Sequence, residues 1–200
     1  YKNAHEYEST TYQNAMDKVR QLKIPCEILY TGDSFMFGDR VSVKVYGPDE
    51  GAEENVKAGY MTANDLSLAM KITFDKSSFW TSGDLYITKE LDLVERFGDE
   101  LKSDVMKMNH HGYDTSNNSE FIATVDPKVA VQSHSLITNR TVAMRYHLKQ
   151  KALTFYTCQD GAVAVSTTGD GTYEVQTQYI RQITNIYGKP SANGHYSIRD

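Results

Sequence analysis

Tyr12, Ala15, Val19 and Leu22 recur at steps of three and four, which puts one apolar stripe on a helix over residues 5–23 that stops before Pro25 and packs on a sheet. The period then changes to two. Cys26 to Tyr30 reads as a short strand and Gly32-Asp33 as a turn, and Val41, Val43 and Val45 alternate with Ser42, Lys44 and Tyr46 in a strand closed by Gly47-Pro48. Residues 49–63 are acidic and aperiodic and read as a long surface loop, placed to shape entry to a site. Leu66 to Phe74 alternates again, and Phe79-Trp80-Thr81 is a short strand that runs into Ser82-Gly83-Asp84. A helix carrying Ile87, Leu91 and Val94 on one face follows and stops at Gly98.

The pattern then repeats: strand Val105 to Met108, polar loop 109–116, helix 119–125 with Phe121, Ile122 and Val125 inward, strand Val129 to Gln132, helix 140–150. Strand–loop–helix alternation predicts a layered α/β fold with its loops collected at the carboxyl ends of the strands. Beyond it, Leu153 to Thr157, Ala162 to Thr167 and Tyr173 to Tyr179 read as a meander joined at Gln159-Asp160-Gly161 and Gly169-Asp170-Gly171, and residues 181–200 as a loosely held tail.

Composition narrows this picture. Two hundred residues at 40% hydrophobic content suffice for one substantial core, so we expect one domain over 1–180. A net charge of −5 supplies no diffuse basic field for nucleic acid, and Lys102, Lys107 and Arg140 are too scattered to form a local track. No apolar run approaches the roughly 18 residues of a spanning helix. Cys26 and Cys158 stand outside any C-x-x-C arrangement and read as buried thiols.

Candidate chemistry sits at two successive strand ends. Asp84 follows a glycine at the end of an apolar strand, which leaves its carboxylate at a strand's carboxyl edge. Asn109-His110-His111-Gly112 follows the next strand, and imidazole and carboxylate are ligands that zinc favours. One helix separates the two, so they can converge on one sheet edge. His134, in Ser133-His134-Ser135 at the end of the following strand, is a third candidate, and Tyr113 a residue that lines the site. His5, His147 and His195 read as packing or surface residues.

Three segments in order, Asn64-Asp65-Leu66-Ser67-Leu68, Thr81-Ser82-Gly83-Asp84 and Asp104-Val105-Met106-Lys107-Met108-Asn109-His110-His111-Gly112 with Thr115-Ser116, resemble the metallo-β-lactamase-type domain of ComEC competence proteins and related secreted hydrolases, phosphorylcholine esterases included. The likeness continues through Pro127-Lys128-Val129-Ala130-Val131, Thr157 and Asp160-Gly161-Ala162-Val163, over roughly residues 25–180. It implies an αββα four-layer sandwich with the metal site at the edge between two sheets. It also implies that Asp84 bridges two divalent metals, zinc or manganese, and that one of His110 and His111 ligates one of them while the other meets substrate. The family's upstream His-x-His-x-Asp-His motif has no counterpart here. The expectation is therefore a C-terminal portion with an incomplete metal site, inactive by itself. Two functions follow. One is a metal-dependent hydrolase of small or surface-attached phosphodiester-type substrates, with Asp84 and His134 as catalytic residues and an extracellular location. The other is an inactive domain of the same fold that serves as a binding module.

Overall fold

The computed structural model describes residues 1–136, 152–180 and 195–198. Helix α1 (Thr10–Gln21) starts at Ser9, whose hydroxyl caps the amide of Tyr12. It buries none of its residues, so its apolar stripe does not pack on a sheet as its period predicts. An isolated helix face of four spaced residues, one of them alanine, offers too little apolar surface to displace the solvated alternative. Cys26 to Tyr30 is likewise no strand: among the described residues its one ladder contact is a single bridge between Ile28 and Lys2.

The valine alternation does make a strand, β2 (Val41–Gly47), paired antiparallel with β1 (Ser34–Phe37) on one side and β3 (Ala69–Phe74) on the other. β4 (Ser77–Thr81) closes this antiparallel set. β5 (Val105–Lys107), β6 (Val129–Gln132) and β7 (Leu153–Tyr156) then add in order, each parallel to its predecessor, to give one mixed seven-stranded sheet. The segment expected to be a plain loop at 49–63 holds a short helix, α2 (Ala52–Lys57), and runs into a 3-10 turn at Ala63–Leu66. Crossovers between the parallel strands carry α3 (Ile87–Phe97) and α4 (Ser119–Val125). The predicted helix 140–150, with Arg140 and His147, lies outside the described residues.

Period-two alternation divides the sheet's residues between two cores. Trp80 and Met106 join Tyr46, Leu93 of α3 and Phe121, Ile122 and Val125 of α4 on one face. On the other, Val105, Val129, Leu153 and Phe155 pack against Tyr173 and Val175, with Phe79 alongside. Tyr173 and Val175 belong to β9 (Tyr173–Thr177), the middle strand of a second, antiparallel sheet between β8 (Val163–Ser166) and β10 (His195–Ile198). The chain thus forms helices on a large mixed sheet, backed by a three-stranded sheet. Four expectations change here. β7 stays with the large sheet while β8 and β9 form the second, so the three are not one meander. Part of the segment expected as a tail, 195–198, pairs with β9. On α3 Leu93 and Glu90 are buried and Val94 packs against the core as expected, while Leu91 is exposed, because the helix is rotated to bring a carboxylate inward. Cys26 and Cys158 are both exposed free thiols, not buried ones.

At the amino edge of β5, Asp104 locks the two sheets together. Its Oδ2 accepts from the Ser78 amide at 3.0 Å, the Ser78 hydroxyl at 2.7 Å and the Tyr173 hydroxyl at 2.8 Å, with Lys128 Nζ 3.4 Å from Oδ1. Burial works against ionisation of Asp104, but the Ser78 and Tyr173 hydrogen bonds and the Lys128 charge outweigh it and hold the carboxyl below its ordinary range. Burial, with the bond to Asp104, pushes the Tyr173 phenol up to about 12. The raised phenol contributes stability that is complete below its unfolded pKa of about 10 and is lost as pH rises through the folded value. The depressed carboxyl contributes stability present above about pH 4 and lost in stronger acid. Tyr173→Phe is expected to cost roughly 1.5 to 3 kcal/mol at pH 7 in urea unfolding, and to lack the share of the alkaline decline above about pH 10 that the wild type shows.

Candidate metal centre

Because β4, β5, β6 and β7 run parallel, the residues that leave their carboxyl ends emerge side by side. Ser82-Gly83-Asp84 follows β4, Asn109 to Gly112 follows β5, and Ser133-His134 follows β6. The loops are stitched to one another. The His110 amide donates to the Gly83 carbonyl at 2.9 Å, and Gln132 Nε2 donates to the His111 carbonyl at 3.1 Å. His134 N donates to the Thr157 hydroxyl at 3.1 Å, at the start of a short helix, Thr157–Asp160, directly after β7.

Asp84 is aimed by its neighbours. Gly83 has φ +57, and a Cβ there would lie 3.1 Å from the Ser67 hydroxyl. That hydroxyl in turn accepts from the Asp84 amide at 3.1 Å. Glycine is required at this point both for the left-handed turn and for the close approach of Ser67.

The His-His-Gly turn is unusual in its backbone. His110 (φ 44, ψ 47) and His111 (φ 54, ψ 19) are consecutive left-handed residues, followed by Gly112 at φ 80. Each left-handed non-glycine residue costs about 1 to 2 kcal/mol, so the surroundings must hold this turn in place. The turn sends the two imidazoles in different directions. His111 Nε2 lies 3.4 Å from Asp84 Oδ1, and its Nδ1 lies 2.7 Å from the Ser133 carbonyl oxygen. A carbonyl only accepts, so Nδ1 carries the hydrogen, and Nε2 of the neutral ring presents a lone pair to a carboxylate oxygen. Two acceptors that face each other repel unless a cation or a proton lies between them. The same arrangement, a histidine whose second nitrogen is fixed by a carbonyl, is how metal-bound imidazoles are oriented.

His110 does not join them. Its Nδ1 is 2.7 Å from the Thr115 hydroxyl, and its ring lies between those of Tyr86 and Tyr113, with centroids at 5.3 Å and 5.0 Å. His134 packs edge-on against Tyr113 at 4.8 Å and bonds the backbone of Leu136 through Nδ1. Of the four residues proposed from the sequence, the structure therefore brings Asp84 and His111 together and places His110 and His134 on an aromatic wall beside them. Tyr113, 45% exposed, is the outermost ring of that wall. An open depression lies over this face, lined by His110, Tyr113, Asp114 and Thr115. Among the described residues no group of three or more His, Cys, Asp or Glu side chains converges, so Asp84 and His111 fit part of one metal's shell.

Lys107, at the end of β5, adds to the local field: burial lowers its ammonium from the ordinary lysine value, and the Asp84 charge works the other way. The sequence had shown it only as one scattered base. Ser67, Ser133 and Thr115 orient the candidate ligands, a role that no sequence motif had assigned to them. Glu90 did leave a signal, as a charge three residues after Ile87 and four before Val94 within an apolar stripe.

Gly83→Ala is expected to destabilise the chain by about 1 to 2 kcal/mol in urea unfolding with unchanged slope, through the left-handed turn and the Ser67 contact together. Gly59→Ala, at φ +78 but with nothing within 4 Å of the added carbon, is expected to show the backbone cost alone.

No family model matches the chain. Over 70 residues it is 33% identical to the competence protein ComA of Neisseria gonorrhoeae, a stretch that covers 35% of this chain and 10% of that protein. A crystal structure from Parabacteroides distasonis, of a protein provisionally named a metal-dependent hydrolase, aligns with a TM-score of 0.46 at 15% identity, over 77% of this chain and 73% of the other.

Proposed function

We propose that this chain contributes Asp84 and His111 to the metal centre of a hydrolase that acts on phosphodiester-type substrates. The observation that carries this reading is the placement of His111 Nε2 3.4 Å from Asp84 Oδ1, with Nδ1 2.7 Å from the Ser133 carbonyl oxygen. A divalent cation, zinc or manganese, is the group that such a pair of donors suits. When bound it supplies Lewis-acid activation of water and charge neutralisation at a phosphoester. The chain's own residues then have separate tasks. Ser67 and the Gly83 turn hold Asp84, Ser133 fixes the His111 ring, and His110, Tyr113 and His134 form the wall a substrate meets first.

The 70-residue likeness to a competence protein supports placing this site in an αββα four-layer sandwich, of which helices, large sheet and second sheet are described here. Net charge of −5 favours small or surface-attached phosphoesters over a nucleic-acid backbone, and the resemblance to secreted hydrolases is the support for an extracellular role. Two ligands fall short of the four that zinc usually takes, so this reading requires further donors beside the Asp84–His111 pair. The same shortfall favours a second reading, an inactive domain of this fold that binds a ligand or partner through the aromatic wall.

Equilibrium dialysis with zinc and manganese, followed by elemental analysis, separates the two. Asp84→Ala and His111→Ala are each expected to weaken zinc binding at least tenfold, about 1.4 kcal/mol, and His110→Ala less than threefold. Where zinc is retained, hydrolysis of bis(p-nitrophenyl) phosphate is expected to fall with Asp84→Ala and His111→Ala, and with His110→Ala through a raised KM rather than through loss of zinc. Zinc binding indifferent to both Asp84→Ala and His111→Ala would sink the hydrolase reading.

A further inference from the structure

We infer that Glu90 is the positioning residue of this site: its buried carboxylate clamps both ends of the 109–117 loop that carries His110 and His111 and so sets the direction in which His111 points. The inference rests on the proposed pairing of Asp84 with His111. Glu90 is fully buried, although it lies in the first turn of α3 on a helix whose other charged residues reach solvent. A carboxylate without solvent is tolerated only where donors surround it. The donors come from the two flanks of one loop. Asn109 Nδ2, immediately before the histidines, donates to Oε1 at 2.7 Å. The amides of Asn117 and Asn118, just after the loop, donate to Oε1 at 2.6 Å and Oε2 at 2.7 Å.

The clamp reaches the Asp84 side as well. Asn109 Oδ1 accepts from Trp80 Nε1 at 3.3 Å and from the Ser82 hydroxyl, so the same side chain bonds Glu90 below and the end of β4 beside it. Asn109 and Asn117 also exchange bonds across the base of the loop, at 3.0 Å and 2.8 Å. A loop closed at its base by these contacts has little freedom to relax two left-handed histidines into ordinary backbone. The group required at position 90 is an acceptor at both oxygens. Glutamine has nearly the same shape but presents an NH2 to at least one of these N–H donors.

The test is the ring-nitrogen spectrum of His111, read by long-range 15N–1H correlation at about pH 8, where imidazoles are mostly neutral. In the wild type His111 is expected as the Nδ1–H tautomer. In Glu90→Gln it is expected to shift to a mixture rich in the Nε2–H form, with zinc affinity reduced at least tenfold. Leu101→Ala, which removes a fully buried side chain of the same core, serves as a control for general loss of stability. It is expected to keep the wild-type tautomer and zinc affinity within threefold. If Glu90→Gln does not fold, Glu90→Asp, which keeps the charge one methylene further from the loop, is read the same way. A His111 tautomer unchanged in the Glu90 variant, or changed equally in Leu101→Ala, overturns the inference. If the wild type binds no zinc, the metal reading fails by itself, and the tautomer alone still decides whether Glu90 positions His111.

Discussion

Parallel pairing of β4, β5, β6 and β7 is the constraint on which the candidate site depends. Each of these strands is short, three to five residues, and each leaves the sheet at the same edge. Parallel neighbours need crossovers, and the crossovers described here are helices that bury Leu93, Phe121, Ile122 and Val125 on one face of the sheet. The hydrophobic term that seats those helices therefore also brings together the loops after the strands. Asp84, His111 and His134 are distant in sequence and share an edge for this reason alone.

At that edge, polar bonding does what hydrophobic burial does elsewhere in the fold. Two left-handed histidines and a carboxylate facing an imidazole lone pair are both unfavourable arrangements. They are held by Ser67 on Asp84, by Ser133 and Gln132 on His111, and by Glu90 with Asn109 and Asn117 under the turn. Unfavourable local geometry kept by over-determined surroundings is the pattern that marks functional loops. The opposite end of β5 shows the contrasting case. Asp104 is surrounded by donors from Ser78, Tyr173 and Lys128, faces no second acceptor of this kind, and ties one sheet to the other.

The aromatic wall distinguishes the roles of the adjacent histidines. His110 and His111 are neighbours in sequence and carry the same side chain, yet one lies between Tyr86 and Tyr113 while the other turns toward Asp84. Their ring centroids are 6.4 Å apart. A substrate held against His110, Tyr113 and His134 would thus lie beside the Asp84–His111 pair, with the wall and the pair on different sides of one backbone turn.

Periodicity alone fixed the strands around Val41 to Val45, Val129 to Gln132 and Tyr173, and the inward face of α4, since burial on a pleated or helical surface imposes a repeat that residue types reveal. Motif spacing identified the neighbourhood of Asp84 and the His-His-Gly turn. It did not identify which histidine faces Asp84, because that depends on left-handed backbone angles set by Glu90 and Asn109, contacts across 19 and more positions of sequence. It also misjudged α1, whose apolar stripe is not buried against a sheet, and α3, rotated so that Glu90 rather than Leu91 points inward. A sequence records which side chains prefer burial, but a hydrogen bond between distant residues leaves no period. The direction of an imidazole, and the use made of a buried charge, were decided only when the chain folded.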